Sequence, residues 1–128
     1  MDIEHVALQV PDPRAMAAWY VAHLGLRIVR GSEAPVCGRF LADGSGHVMV
    51  ELYNNPKAAV PNYRQVDPLV LHLAFESGDV PADRERLLRA GATAAGDIER
   101  TPDGDDVAML RDPWGVAIQL ARRARPMI

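Results

Sequence analysis

Hydrophobic and polar positions change period several times along the chain, and those changes mark its elements. From Ile3 to Val10 they alternate, with Val6, Leu8 and Val10 on one face and Ile3, His5, Ala7 and Gln9 on the other, the period of a half-buried strand. Pro11 ends that run. Asp12-Pro13 is a helix-start signal, and Met16, Trp19, Tyr20 and Leu24 then recur at helical spacing until Gly25 supplies a stop. Three further strand-like runs follow, LRIVRG, CGRFLAD and HVMVELYNN, separated by turn residues such as Gly31-Ser32 and Asp43-Gly44-Ser45-Gly46. This half reads βαβββ.

Residues 55–67 carry two prolines and mixed polarity with no period, which predicts a connector. The pattern then starts again. In VLHLAFES and the Leu69 before it, Leu69, Leu71, Leu73 and Phe75 face one way and Val70, His72, Ala74 and Glu76 the other, which places His72 in mid-strand. A helix over 81–90 presents Leu87 and Leu88 and stops at Gly91, and the strands ATAAGDIE, DVAMLRD and GVAIQLAR complete a second βαβββ unit. The expected organisation is one domain over 1–128, made of a module at 1–54, the connector at 55–67 and a module at 68–128.

The repeat can be measured inside the sequence. His72 lies 67 positions after His5, and Gln119 lies 68 after Glu51. A duplicated unit predicts equivalent placement of such pairs, so the four residues are expected to form one site. Each stands among small or apolar neighbours, Gln119 between Ala117 and Ala121 on its face and His5 between Ile3 and Ala7, more like a cavity wall than a wet surface. Two imidazoles, a carboxylate and an amide oxygen suit one divalent ion, with Zn, Ni, Co, Mn and Fe all compatible. A closed structural zinc site is not expected, because the set lacks a thiolate. Taken singly, each residue has an ordinary structural reading: a hydrogen-bonded His, a surface Glu, an unremarkable Gln. His47 alternates onto the Glu51 face, as a neighbour of the ligands or in solvent, and His23 is expected to be exposed. Arg39 and Arg111 could pair a substrate carboxylate, with an ordinary salt bridge as the simpler role.

Composition narrows the function classes. In 128 residues, 48% are hydrophobic and 24% charged, which suits a globular chain. A net charge of −3 and 5% aromatics give no basic, aromatic-bearing face, so no nucleic-acid partner is expected. Cys37 is the only cysteine and can close no intramolecular disulfide, and no apolar run approaches membrane-spanning length. The opening MDIEHVALQV carries acids where a signal peptide needs positive charge, so the expected location is the cytoplasm, with no membrane partner.

The runs IEHVALQV, DPRAMAAWYVAHLGLRIV, VMVELYNN, VLHLAFES and RDPWGVAIQL, in this order, resemble the vicinal oxygen chelate superfamily: glyoxalase I, bleomycin-resistance proteins, extradiol dioxygenases and their relatives. The resemblance covers nearly the whole chain. It implies an α+β fold in which two βαβββ modules form a cup-shaped mixed sheet with helices outside. It also implies a metal held by His5, Glu51, His72 and Gln119, and a small-molecule substrate. The cup can be completed within one chain or across a homodimer, and a homodimer is the expected state. The shared chemistry is stabilisation of an oxyanion on two adjacent substrate oxygens. A glyoxalase-I-like lyase or isomerase, working through a metal-stabilised enediolate with Glu51 as the proton carrier, is the leading expectation. Glyoxalase I usually carries a glutamate where this chain has Gln119, which cannot titrate. The alternatives are an Fe(II) extradiol-type dioxygenase using His5, His72 and Glu51, and a metal-independent protein that binds a drug or metabolite.

Overall fold

The computed structural model describes residues 1–47 and 49–128, and Val48, expected in the fourth strand, lies outside the described residues. Contacts divide the chain into two compact units, Met1–Pro61 and Asn62–Ile128. Each is an α+β unit with a four-stranded mixed sheet and one main helix.

In the first unit, β1 (His5–Gln9) leads into α1 (Pro13–Leu24), followed by β2 (Arg27–Gly31), β3 (Arg39–Ala42) and β4 (Met49–Tyr53). The Asp12 carboxylate accepts the Ala15 N–H at 3.0 Å, and Pro13 opens the helix where its missing N–H costs nothing. Gly25 closes it at φ 73°, a left-handed conformation that a residue with a Cβ adopts only under strain. The sheet order is β1-β4-β3-β2, with β1 parallel to β4 and the other pairs antiparallel. α1 packs on β3 and β4, and Met16 and Tyr20 are buried in the same core as Leu8, Leu41 and Leu52. A buried side chain of this kind contributes about 1.5–3 kcal/mol.

The second unit repeats this plan with β5 (Leu73–Glu76), α2 (Val80–Arg89), β6 (Thr93–Arg100), β7 (Asp106–Arg111) and β8 (Ala117–Arg122), in sheet order β5-β8-β7-β6. Asp79 caps α2 by accepting the Ala82 N–H at 3.0 Å, so the two caps stand 67 positions apart, the interval that separates His5 from His72. The ladders repeat as well. β1 pairs His5 with Met49 in parallel with β4, and β5 pairs Leu73 with Ile118 in parallel with β8.

The second unit corrects one expectation: His72 is not in mid-strand. The strand begins at Leu73, because Asp67-Pro68 nucleates a turn instead. The Asp67 side chain accepts the Leu69 N–H at 2.8 Å and its carbonyl accepts the Val70 N–H at 2.8 Å, which removes residues 68–71 from the ladder. His72 sits at the junction of that turn with β5.

The segment between the modules is tied down at both ends. Gln9 donates to the carbonyls of Asn55 and Ala58, both at 2.8 Å, and accepts the Asn55 N–H at 2.9 Å. In the second unit, Arg111 donates to the carbonyls of Tyr63 (2.8 Å), Val66 (2.9 Å) and Gly115 (3.0 Å). The segment contains a single turn of 3-10 helix, Tyr63–Gln65. No helix among the described residues is long and apolar enough to cross a membrane.

Candidate functional site

In an antiparallel pair, residues directly opposite one another point to the same side of the sheet. Phe40 is opposite Glu51, and Ala7 pairs with Glu51 in the parallel ladder while His5 pairs with Met49. His5, Phe40, Met49 and Glu51 therefore share one face. Leu8, Leu41 and Leu52 occupy the other face, the one covered by α1.

On the open face His5 Nε2 stands 3.6 Å from a Glu51 carboxylate oxygen. That is too long for a direct hydrogen bond. Two donors each about 2.1 Å from a shared ion can be up to about 4.2 Å apart, so the separation suits a pair of ligands on one cation. The other ring nitrogen, Nδ1, is bonded to the Glu4 carboxylate. An ionised carboxylate only accepts, so Nδ1 carries the hydrogen and the lone pair of the neutral ring lies on Nε2, toward Glu51. The Glu4 hydrogen bond holds the His5 pKa above its ordinary value. Desolvation opposes this, and the charges of Glu4 and Glu51 add to it. Phe40 meets the His5 ring edge-on at 5.5 Å and limits its rotation.

His72 is prepared in the same way by a different acceptor: Nδ1 donates to the Pro68 carbonyl at 2.7 Å, which again leaves the lone pair on Nε2. The Asp67-Pro68 turn that displaces His72 from the strand thus also orients it. Gln119 lies on β8 opposite Met109 and pairs with Ala74 in the parallel ladder. It lines a cavity of about 320 Å³ together with Asp67, Pro68 and Met109. Because Leu73 pairs with Ile118, continuing that ladder by one rung sets His72 against Ala117, two positions before Gln119. Glu51 lies the same two positions beyond Met49, the partner of His5. The two His–acid/amide pairs are equivalent by register.

The first unit brings His5 and Glu51 together, whereas no bond joins His72 to Gln119 in the second. Among the described residues, no three His, Cys, Asp or Glu side chains gather within a unit as a cation cluster. Within each unit the donor chemistry suits a divalent ion, an oriented imidazole with a carboxylate in the first and an oriented imidazole with an amide oxygen in the second.

Other expectations change. Arg111 spends its guanidinium on three backbone carbonyls, and Arg39 spends Nη1 on those of Ser32 (2.7 Å), Gly38 (2.7 Å) and Cys37 (3.3 Å). Through these bonds both arginines brace loops. His23 is half-buried, its ring tilted against Trp19 with centroids 5.2 Å apart, and His47 is exposed. The residue that sequence reasoning missed is Glu4, whose signal was its adjacency to His5.

The family model described as "Glyoxalase/Bleomycin resistance protein/Dioxygenase superfamily" matches residues 2–120. The chain belongs to this superfamily. Among solved structures it is similar to SMU.1112c, at 26% identity with a TM-score of 0.74, over 95% of this chain and 98% of that one. A glyoxalase/bleomycin resistance protein/dioxygenase family enzyme from Burkholderia phytofirmans PsJN shares the fold at 18% identity and TM-score 0.79, over 96% and 99% of the two chains. So does TnmS3, an antibiotic binding protein from Streptomyces sp. CB03234, at 22% identity and TM-score 0.73, over 97% of each. Comparison with curated proteins gives no match.

Proposed function

We propose that this superfamily member holds one divalent cation with His5, Glu51, His72 and Gln119 and acts as a glyoxalase-I-like lyase or isomerase on a small, vicinally oxygenated metabolite. The observation that supports this reading best is the pairing of His5 Nε2 with the Glu51 carboxylate at 3.6 Å while Glu4 occupies Nδ1. When bound, the cation supplies charge that favours a developing oxyanion on the substrate. Glu51 is the ligand that can also titrate, so it carries the proton from one substrate carbon and returns it to the neighbouring one. Gln119 contributes an oxygen donor that stays neutral. His5 and His72 donate lone pairs whose direction is fixed by Glu4 and Pro68.

The test is elemental analysis of protein purified without added metal, followed by titration with Zn, Ni, Co, Mn and Fe(II). Each loaded form is then assayed for hemithioacetal isomerisation and for exchange of protons next to the carbonyl of 2-oxo and acyl-thioester substrates. Stoichiometric metal with turnover in one of these assays, abolished by Glu51→Ala, is the expected result. Loaded protein that catalyses none of them overturns the reading.

A second reading, a metal-independent binding protein, draws on two observations. No three-residue acid or imidazole cluster forms within a unit among the described residues, and TnmS3 is an antibiotic binding protein of the same fold. It predicts protein that carries no cation and a Glu51→Ala variant whose ligand affinity is unchanged.

A further inference from the structure

The ladder between β2 and β3 is irregular. Ile28 is opposite Leu41, yet the next rung joins Arg30 to Phe40, so Val29 is an extra residue, a β-bulge. Its effect follows from the period of two. In an unbroken ladder Val29 would oppose Phe40 and Arg30 would oppose Arg39, on the side covered by α1. The bulge instead sets Arg30 opposite Phe40, which is itself opposite Glu51, so Arg30, Phe40 and Glu51 run in one line across three strands on the open face. The cavity on this face has a volume of about 420 Å³ and is lined by Glu4, His5, Val29, Arg30, Phe40 and Met49.

Charge within the cavity is unevenly committed. Glu4 is bonded to His5, whereas Arg30 makes no ion pair or side-chain hydrogen bond among the described residues. Most other arginines of the chain do, with acids or with backbone carbonyls, as Arg14 with Glu33 and Arg100 with Asp106. A planar guanidinium with no partner, beside an apolar wall of Val29, Phe40 and Met49, recognises a carboxylate carried on a small apolar body.

From this we infer that Arg30 is an anion-binding residue, aimed into the site by the bulge at Val29, and that the molecule taken up on the His5–Glu51 face bears a carboxylate. The inference rests on the proposed reading of that face as the place where substrate sits, and it extends that reading to substrate class. Glu51 would engage the oxygenated end of the molecule and Arg30 its carboxylate.

The experiment uses the metal-free 128-residue chain and two probes of equal shape, benzoate and the uncharged benzamide, titrated by NMR with the signals of Val29, Arg30, Phe40 and Met49 as reporters. Benzoate is expected to bind about tenfold more tightly than benzamide. Arg30→Gln should erase that preference and Arg30→Lys should keep part of it, with benzamide affinity unchanged in both. Arg30 is exposed, and thermal melts of both variants should match the parent. Equal affinity for the two probes in the parent protein, or a benzoate preference that survives Arg30→Gln, overturns the inference. Because no metal is present, that failure is separable from failure of the metal site, which the elemental analysis reads on its own.

Discussion

The imidazoles of His5 and His72 are anchored through the same ring atom, Nδ1, the first on the Glu4 carboxylate and the second on the Pro68 carbonyl at 2.7 Å. Anchoring of this kind orients a ligand and increases its basicity, and its loss typically weakens metal affinity by about 10–100-fold. Glu4→Ala should therefore weaken Zn or Ni binding about tenfold. His5→Ala and Glu51→Ala should do more harm, since each removes a donor outright. Competition with a chromophoric chelator measures all three. Equal affinity in Glu4→Ala and parent protein would leave the anchor without a role.

Gly115 carries a prediction about stability. Its φ is +97°, and a Cβ built there would lie 2.9 Å from the Arg64 backbone nitrogen and 3.2 Å from its Cα. The nearest atom, Arg64 Cγ, belongs to a side chain that can move, but the nitrogen and Cα behind it are main chain and cannot swing away, so strain and overlap act together. Gly115→Ala should cost about 3 kcal/mol in denaturant unfolding. Gly44→Ala, at a turn with nothing within 4 Å of the added carbon, should lie within about 0.5 kcal/mol of the parent.

A third prediction concerns Arg111. Its rigid fork meets three carbonyls at once, and a lysine ammonium reaches fewer of them from one point. Arg111→Lys should destabilise the chain by about 2 kcal/mol. Hydrogen exchange should rise first around Tyr63 and Val66, whose carbonyls lose their donor. Uniformly faster exchange across both units would argue against a local brace.

Asp83 gives the pH dependence. The Ser77 hydroxyl, bonded at 2.7 Å, lowers its pKa below the ordinary 3.8, with Arg86 adding to the effect against desolvation. A carboxylate with a depressed folded-state pKa binds fewer protons folded than unfolded. Its contribution is therefore complete above the unfolded value and disappears as pH falls through the folded one. Asp83→Asn should melt below the parent at pH 7, and the gap should close as the pH falls below about 4. A gap that stays constant as the solution is acidified would exclude ionisation as its source.

Much of this architecture could be read in the sequence because period and punctuation agree. Asp12-Pro13 and Asp79 with Pro81 mark both helix starts, and the 67-residue interval that links His5 to His72 also links the two caps. The failures have local causes. VLHLAFES alternates well enough to be a strand throughout, but the Asp67-Pro68 turn bonds Leu69 and Val70 before the ladder can, and His72 is left at the edge. The bulge at Val29 has no sequence signal, since RIVRG reads as an ordinary strand, so nothing in the pattern sets Arg30 apart. Arg39 and Arg111 attracted notice as cations facing a possible anion. Backbone carbonyls nearby in the fold, which no pattern of side chains reveals, take up both.

Glu51 and Gln119 stand on matching rungs of the two ladders, yet only the first can change its charge. A faithful duplication would carry the same group at both positions. Here the repeat has kept its rungs and parted in its chemistry, with a carboxylate on one ladder and an uncharged amide on the other.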